Sequence, residues 1–165
     1  MPTFYALTFL GTATILQTTI VSKINLFQGS VDLVMLIFLG WVLREEATGL
    51  WRWAITAGLV VGIASELPIW LPVVPYVLIA SIITILKKRI WQLPIMSLFA
   101  TTLIGIFLML IIQWLYLILL GAPIGIESAF NLVILPSMLL NMLLVFPIYG
   151  IMGELFTRIY PHLEE

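Results

Sequence analysis

Two carboxylates, Asp32 and Glu66, border long apolar runs, and paired carboxylates are one way a protein performs general acid–base chemistry. That chemistry also needs a third group or a metal to orient it. The one histidine, His162, lies in the C-terminal tail, and cysteine is absent, which removes thiolate nucleophiles, cysteine-ligated metals and disulfides. No Gly-rich phosphate loop, nucleophile elbow or metal-ligand cluster occurs either. The residues therefore predict a chain that is not an enzyme and holds no cofactor and no metal. Asp32 suits an N-cap, its side-chain oxygen accepting from the free amides of a helix start. Glu66 suits a contact at headgroup level, with a partner contact or ligand group as the functional alternative. Proton or cation pumping requires carboxylates nearer mid-bilayer than either position.

A second set of polar groups sits within Asn131-Leu-Val-Ile-Leu-Pro-Ser-Met-Leu-Leu-Asn-Met-Leu-Leu-Val-Phe-Pro-Ile-Tyr. Pro136 and Pro147 fall on nearly the same face of a regular helix, and Pro136 frees a backbone carbonyl that a neighbour must satisfy. Asn131 and Asn141 then act either as hydrogen-bonding links inside a bundle, at about 1 kcal/mol each, or with the two prolines as a partner-docking face.

Composition names the frame that must position these groups. Of 165 residues, 62% are apolar and 9% charged, against about 25% charged in a soluble domain. Seven basic and eight acidic side chains cannot cover the surface of such a chain, so the apolar excess must face lipid. A net charge of -1 spread over short loops leaves no basic stripe, which excludes nucleic acid as a partner. The first apolar run lacks a positively charged start and a cleavage site, and so reads as a retained helix.

Polar punctuation divides the chain into six spans of a single transmembrane domain, 1–165, an all-α polytopic bundle: about 4–21, 26–43, 51–65, 69–86, 94–120 and 129–158. The second is the weakest. Its uninterrupted apolar part, Leu33 to Leu43, follows Gln28, Gly29, Ser30 and Asp32, which predicts a span that is short, tilted or partly re-entrant. Pro68, Pro72 and Pro75 make the start of the fourth irregular, and Pro136 and Pro147 kink the sixth. Ala54, Gly58, Gly62 and Glu66 recur every four residues on the third span, and Gly11, Thr14, Thr18 and Ser22 share a face of the first. Both stripes predict close helix packing.

Basic residues stay cytoplasmic, and Arg44, Arg52, Lys87, Lys88, Arg89 and Arg158 fall on the side shared by both termini, against Lys23 on the other. Both termini are therefore expected inside. Aromatic belts agree, with Trp41, Trp51, Trp53, Trp91 and Tyr160 near the inner interface and Trp70, Trp114 and Tyr116 near the outer one.

The stretch from Leu135 to Pro147 resembles the C-terminal helix of the MreD family of bacterial rod shape-determining proteins. Val31-Asp32-Leu33-Val34 running on to Arg44-Glu45-Glu46, then a Gly-bearing third span with an acidic end, resembles the same family, although Val31 stands where that family often has proline. The resemblance implies a non-enzymatic scaffold subunit of the cell-wall elongation complex, the elongasome, in the bacterial inner membrane. Such a subunit binds MreC, a single-span protein, and stands near the filament MreB, the glycosyltransferase RodA and a class B penicillin-binding protein. The expected MreC surface combines the sixth span with the outer ends of the second and third, hence Asp32, Glu66, Asn131, Pro136, Asn141 and Pro147. The resemblance also implies a fold similar to the S-components of energy-coupling-factor vitamin transporters. That supplies an alternative function, small-molecule capture in an outward-facing pocket with Asp32 and Glu66 as polar contacts and Gly11 and Ala13 as a docking surface.

Overall fold

The computed structural model describes residues 2–19, 28–44, 47, 49–90 and 94–159, and its elements are all helices. They are α1 (Pro2–Thr19), α2 (Leu33–Val42), α3 (Leu50–Ala64), α4 (Trp70–Ile90), α5 (Pro94–Leu119) and a last helix, α6, built in three parts. It opens with one turn at Ile126–Ser128, widens through a π-helical segment at Ala129–Ile134, and continues as a regular α-helix over Leu135–Ile159. Pro136 explains the wide turn, since its ring and missing N–H disrupt the bonding of the turn before it.

Two of these helices, over Ile95–Leu119 and Ile126–Arg158, are long and apolar enough to cross a membrane. Only 33% and 28% of their most apolar stretches lie buried, which distinguishes them from the core helices of a soluble protein. Exposed apolar side chains also stud α1, α3 and α4, among them Ile15, Ile63, Leu78 and Ile85.

The second span is short, as its polar start predicts, and its helix covers only part of 26–43. Helix α2 is 10 residues long, about 15 Å, and the polar residues before it are not helical. Eight of its residues are buried, because it runs through the centre of the bundle against α1, α3, α5 and α6. Trp41 and Trp53 are not interfacial anchors. They turn inward and stack at 4.7 Å between ring centroids, with Phe156 edge-on to Trp41 at 5.0 Å. Trp51 and Trp70 remain exposed, and Trp91 and Tyr160 lie outside the described residues.

The stripe on α3 packs as its spacing predicts. Ala54, Gly58 and Gly62 are buried; a Cβ on Gly58 would sit 2.6 Å from the Val73 Cα of α4, and one on Gly62 would sit 2.6 Å from the carbonyl oxygen of Ile69, just before α4. The stripe on α1 does not. A Cβ on Gly11 meets nothing within 4 Å, and the hydroxyls of Thr14 and Thr18 donate to carbonyls of their own helix. The core face of α1 is instead Leu10 and Ala13, since the larger apolar groups gain more by burial; Ser22 lies outside the described residues. Gly58→Ala should therefore destabilise the bundle by about 1–3 kcal/mol in denaturant titrations in detergent, because backbone must move. Gly11→Ala should raise stability by up to about 1 kcal/mol.

Helix α5 closes at Gly121, whose φ of 84° lets Gly121 N–H reach the Ile118 carbonyl and Ala122 N–H the Leu117 carbonyl. Trp114 ties the turn down, its indole N–H donating to the Ile124 carbonyl at 3.2 Å. Both contacts aim the chain back into α6.

Candidate functional site

The segment Gln28–Asp32 has no helix of its own, so each backbone group it brings into the bundle needs an outside partner. Helix α6 supplies them. Gln28 N–H donates to the Leu132 carbonyl at 3.2 Å, the group that Pro136 frees by lacking an N–H. Ser30 N–H donates to Ser137 Oγ at 2.9 Å, and Asp32 N–H donates to Asn141 Oδ1 at 2.9 Å. The Asn141 amide returns a bond to the Ser30 carbonyl at 3.0 Å and a second to the Ser137 carbonyl at 2.8 Å.

The register follows from two rises. Two extended residues advance about 6.6 Å and four to five helical residues about 6–7.5 Å, so alternate residues of the segment meet α6 at Leu132, Ser137 and Asn141. Contact this close requires glycine at position 29. A Cβ there would lie 2.7 Å from Pro136 Cβ and 2.8 Å from the Ser137 backbone nitrogen.

Asp32 ends the extended segment and starts α2. Its Oδ1 accepts from Met35 N–H at 2.9 Å, the N-cap that its position predicts, and its carbonyl accepts from Leu36 N–H. The buried Tyr76 donates its hydroxyl to the same Oδ1 at 3.4 Å, and Gln17 Oε1 takes Val34 N–H at 3.3 Å. Beside this cap lies a cavity of about 160 Å³, bordered by Gln17, Ser30, Asp32, Ser65, Gln113 and Asn141, with Val31, Val61, Ile106 and Met109 on its apolar side.

Of the residues expected to form one surface, Asp32, Pro136 and Asn141 are brought together, and they face inward. Glu66 is exposed beyond the end of α3 and does not border the cavity, so the two carboxylates are not a pair. Asn131 is exposed and makes no hydrogen bond among the described residues, so the bonding role falls to Asn141. Pro147 is exposed although Pro136, on nearly the same face, is covered by Gly29. Ser137, Tyr76, Gln17 and Gln113 also belong to the site. Of these only Ser137 carries a sequence signal, its i, i+4 relation to Asn141.

At the far end of α2, Arg44 donates through Nη2 to the Tyr149 carbonyl at 3.1 Å and lies 4.8 Å from the Tyr149 ring centroid. Both ends of α2 are thus fastened to α6. Comparison with known proteins gives no match to this chain among family models, curated proteins or solved structures.

Proposed function

We propose that the chain is a multi-pass membrane scaffold of the bacterial cell-wall elongation complex that acts by binding MreC, with six crossings and both termini cytoplasmic. The observation that carries this reading is the clamp. The two segments on which the MreD resemblance rests, around Asp32 and from Leu135 to Pro147, are hydrogen-bonded to one another, so residues distant in sequence act as one unit.

The clamp also supports a full second crossing. Helical Leu33–Val42 covers about 15 Å of the roughly 30 Å hydrocarbon core, and the non-helical Gln28–Asp32 lead-in has up to about 16 Å of chain for the rest. Unpaired backbone cannot stand in lipid, and non-helical backbone is tolerated at that depth only where protein satisfies it, as Ser137 and Asn141 do here. A rigid frame with its polar groups turned inward leaves an outward face on α6, including Leu139 and Leu143, for a single-span partner.

The test is recovery of MreC with the tagged chain from solubilised membranes. Leu143→Trp on the exposed face and Glu66→Ala at the outer end should each lower recovery at least fivefold while leaving insertion intact. Unchanged recovery with both variants inserted rejects this surface. The transporter-subunit alternative is less well supported, because a 160 Å³ cavity lies below the roughly 300–1,000 Å³ of pockets that enclose a ligand of vitamin or drug size.

A further inference from the structure

The cavity beside Asp32 combines features that a merely polar gap between helices lacks. It holds a carboxylate whose Oδ1 accepts from Met35 N–H and the Tyr76 hydroxyl, with Val34 N–H also directed at the carboxylate and no further side-chain donor on it among the described residues. Among the described residues no Lys, Arg or His borders the cavity. Gln113, half-buried on α5, borders this space, and its side-chain amide makes no hydrogen bond among the described residues. Gln17 spends its carbonyl oxygen on Val34 N–H, which leaves its amide hydrogens available. The lining also includes the apolar Val31, Val61, Ile106 and Met109.

We infer that this cavity is a binding site for a small organic ammonium ion with a compact apolar body, the ammonium on Asp32 and the body against Val61, Ile106 and Met109. Charge complementarity sets the sign of the ligand. Among the described residues no cation faces the Asp32 carboxylate, and an ammonium offers three donors for which the lining supplies acceptors in Asp32, the Gln113 carbonyl oxygen and a serine hydroxyl. Size sets the rest, since an apolar cavity of about 150 Å³ accepts a benzene ring. The site does not depend on partner binding, and its test uses the purified chain alone, so it stands or falls separately from the MreC reading.

Benzylammonium is the probe, and benzyl alcohol is its uncharged counterpart of nearly equal shape. In detergent micelles, ligand-observed NMR should show saturable line broadening by the full-length protein beyond that of empty micelles, with a Kd on the order of 1 mM or tighter for so small a ligand. Asp32→Asn should weaken binding at least tenfold, and benzyl alcohol should bind at least tenfold more weakly than the amine. Asparagine is as good an N-cap as aspartate, so this variant retains the start of α2. Gln113→Leu, which removes no hydrogen bond from the fold, should weaken binding severalfold. Unsaturable broadening, equal broadening by the alcohol, or equal affinity in Asp32→Asn overturns the site and assigns the signal to partition into the micelle.

Discussion

Asn141→Leu should cost the folded bundle about 3–5 kcal/mol, the largest single loss in the chain. An average side-chain hydrogen bond in a membrane protein contributes only about 0.6 kcal/mol, because opened partners find others nearby. Asn141 is a different case. Its partners are the Asp32 N–H and the Ser30 carbonyl, backbone groups of an extended segment that has no helix in which to pair them. Leucine of similar volume leaves both orphaned, at about 1–3 kcal/mol each. Equilibrium unfolding in mixed detergent measures the loss. Ser137→Ala, which gives up only the bond from Ser30 N–H, should cost about 1 kcal/mol and so calibrates the scale.

Gly29→Val should approach the same loss by a steric route. A Cβ at this position would lie 2.7 Å from Pro136 Cβ and 2.9 Å from the Pro136 carbonyl carbon. A proline ring and the helix backbone beside it cannot swing aside as a long side chain can, so the segment must lift away from α6. The bonds of Gln28, Ser30 and Asp32 are then lost together, at a cost of about 3 kcal/mol or more. The two substitutions break one clamp, so their effects should not add. Gly29→Val with Asn141→Leu should fall short of the sum of the singles by about 1–3 kcal/mol, read from a double-mutant cycle. Additive losses would mean that glycine 29 and Asn141 serve separate contacts.

Features set by neighbouring residues are legible in the sequence, and features set by distant ones are not. The small-residue stripe of Ala54, Gly58 and Gly62 is visible from its spacing, and its two glycines pack on α4 and the residue before it. The same spacing misleads on α1, where Gly11 borders open space and Leu10 and Ala13 are buried instead. The N-cap role of Asp32 is a local property and is found as expected. Pro136 announces a carbonyl in need of a donor, yet nothing in the sequence points to Gln28 as that donor, because the two are joined only when α2 is threaded through the bundle.

The aromatic residues show the same limit. A tryptophan near the end of an apolar run is compatible with a headgroup belt and with a core, and Trp41 and Trp53 are decided by each other, since stacking buries both rings. The polar start of the second span marks an irregular element. Its conformation depends on Ser137 and Asn141, more than a hundred positions later.

The most direct measurement is cysteine accessibility at two positions, Thr48 and Ser128, in a chain that has no cysteine of its own. Thr48 falls in sequence between α2 and α3, and Ser128 is exposed in the first turn of α6. A membrane-impermeant maleimide applied to intact cells should label Ser128→Cys and leave Thr48→Cys unlabelled until the cells are opened. If α2 and its extended lead-in do not cross, every later segment changes sides. Thr48→Cys would then label from outside and Ser128→Cys would not, and that pattern would contradict the account.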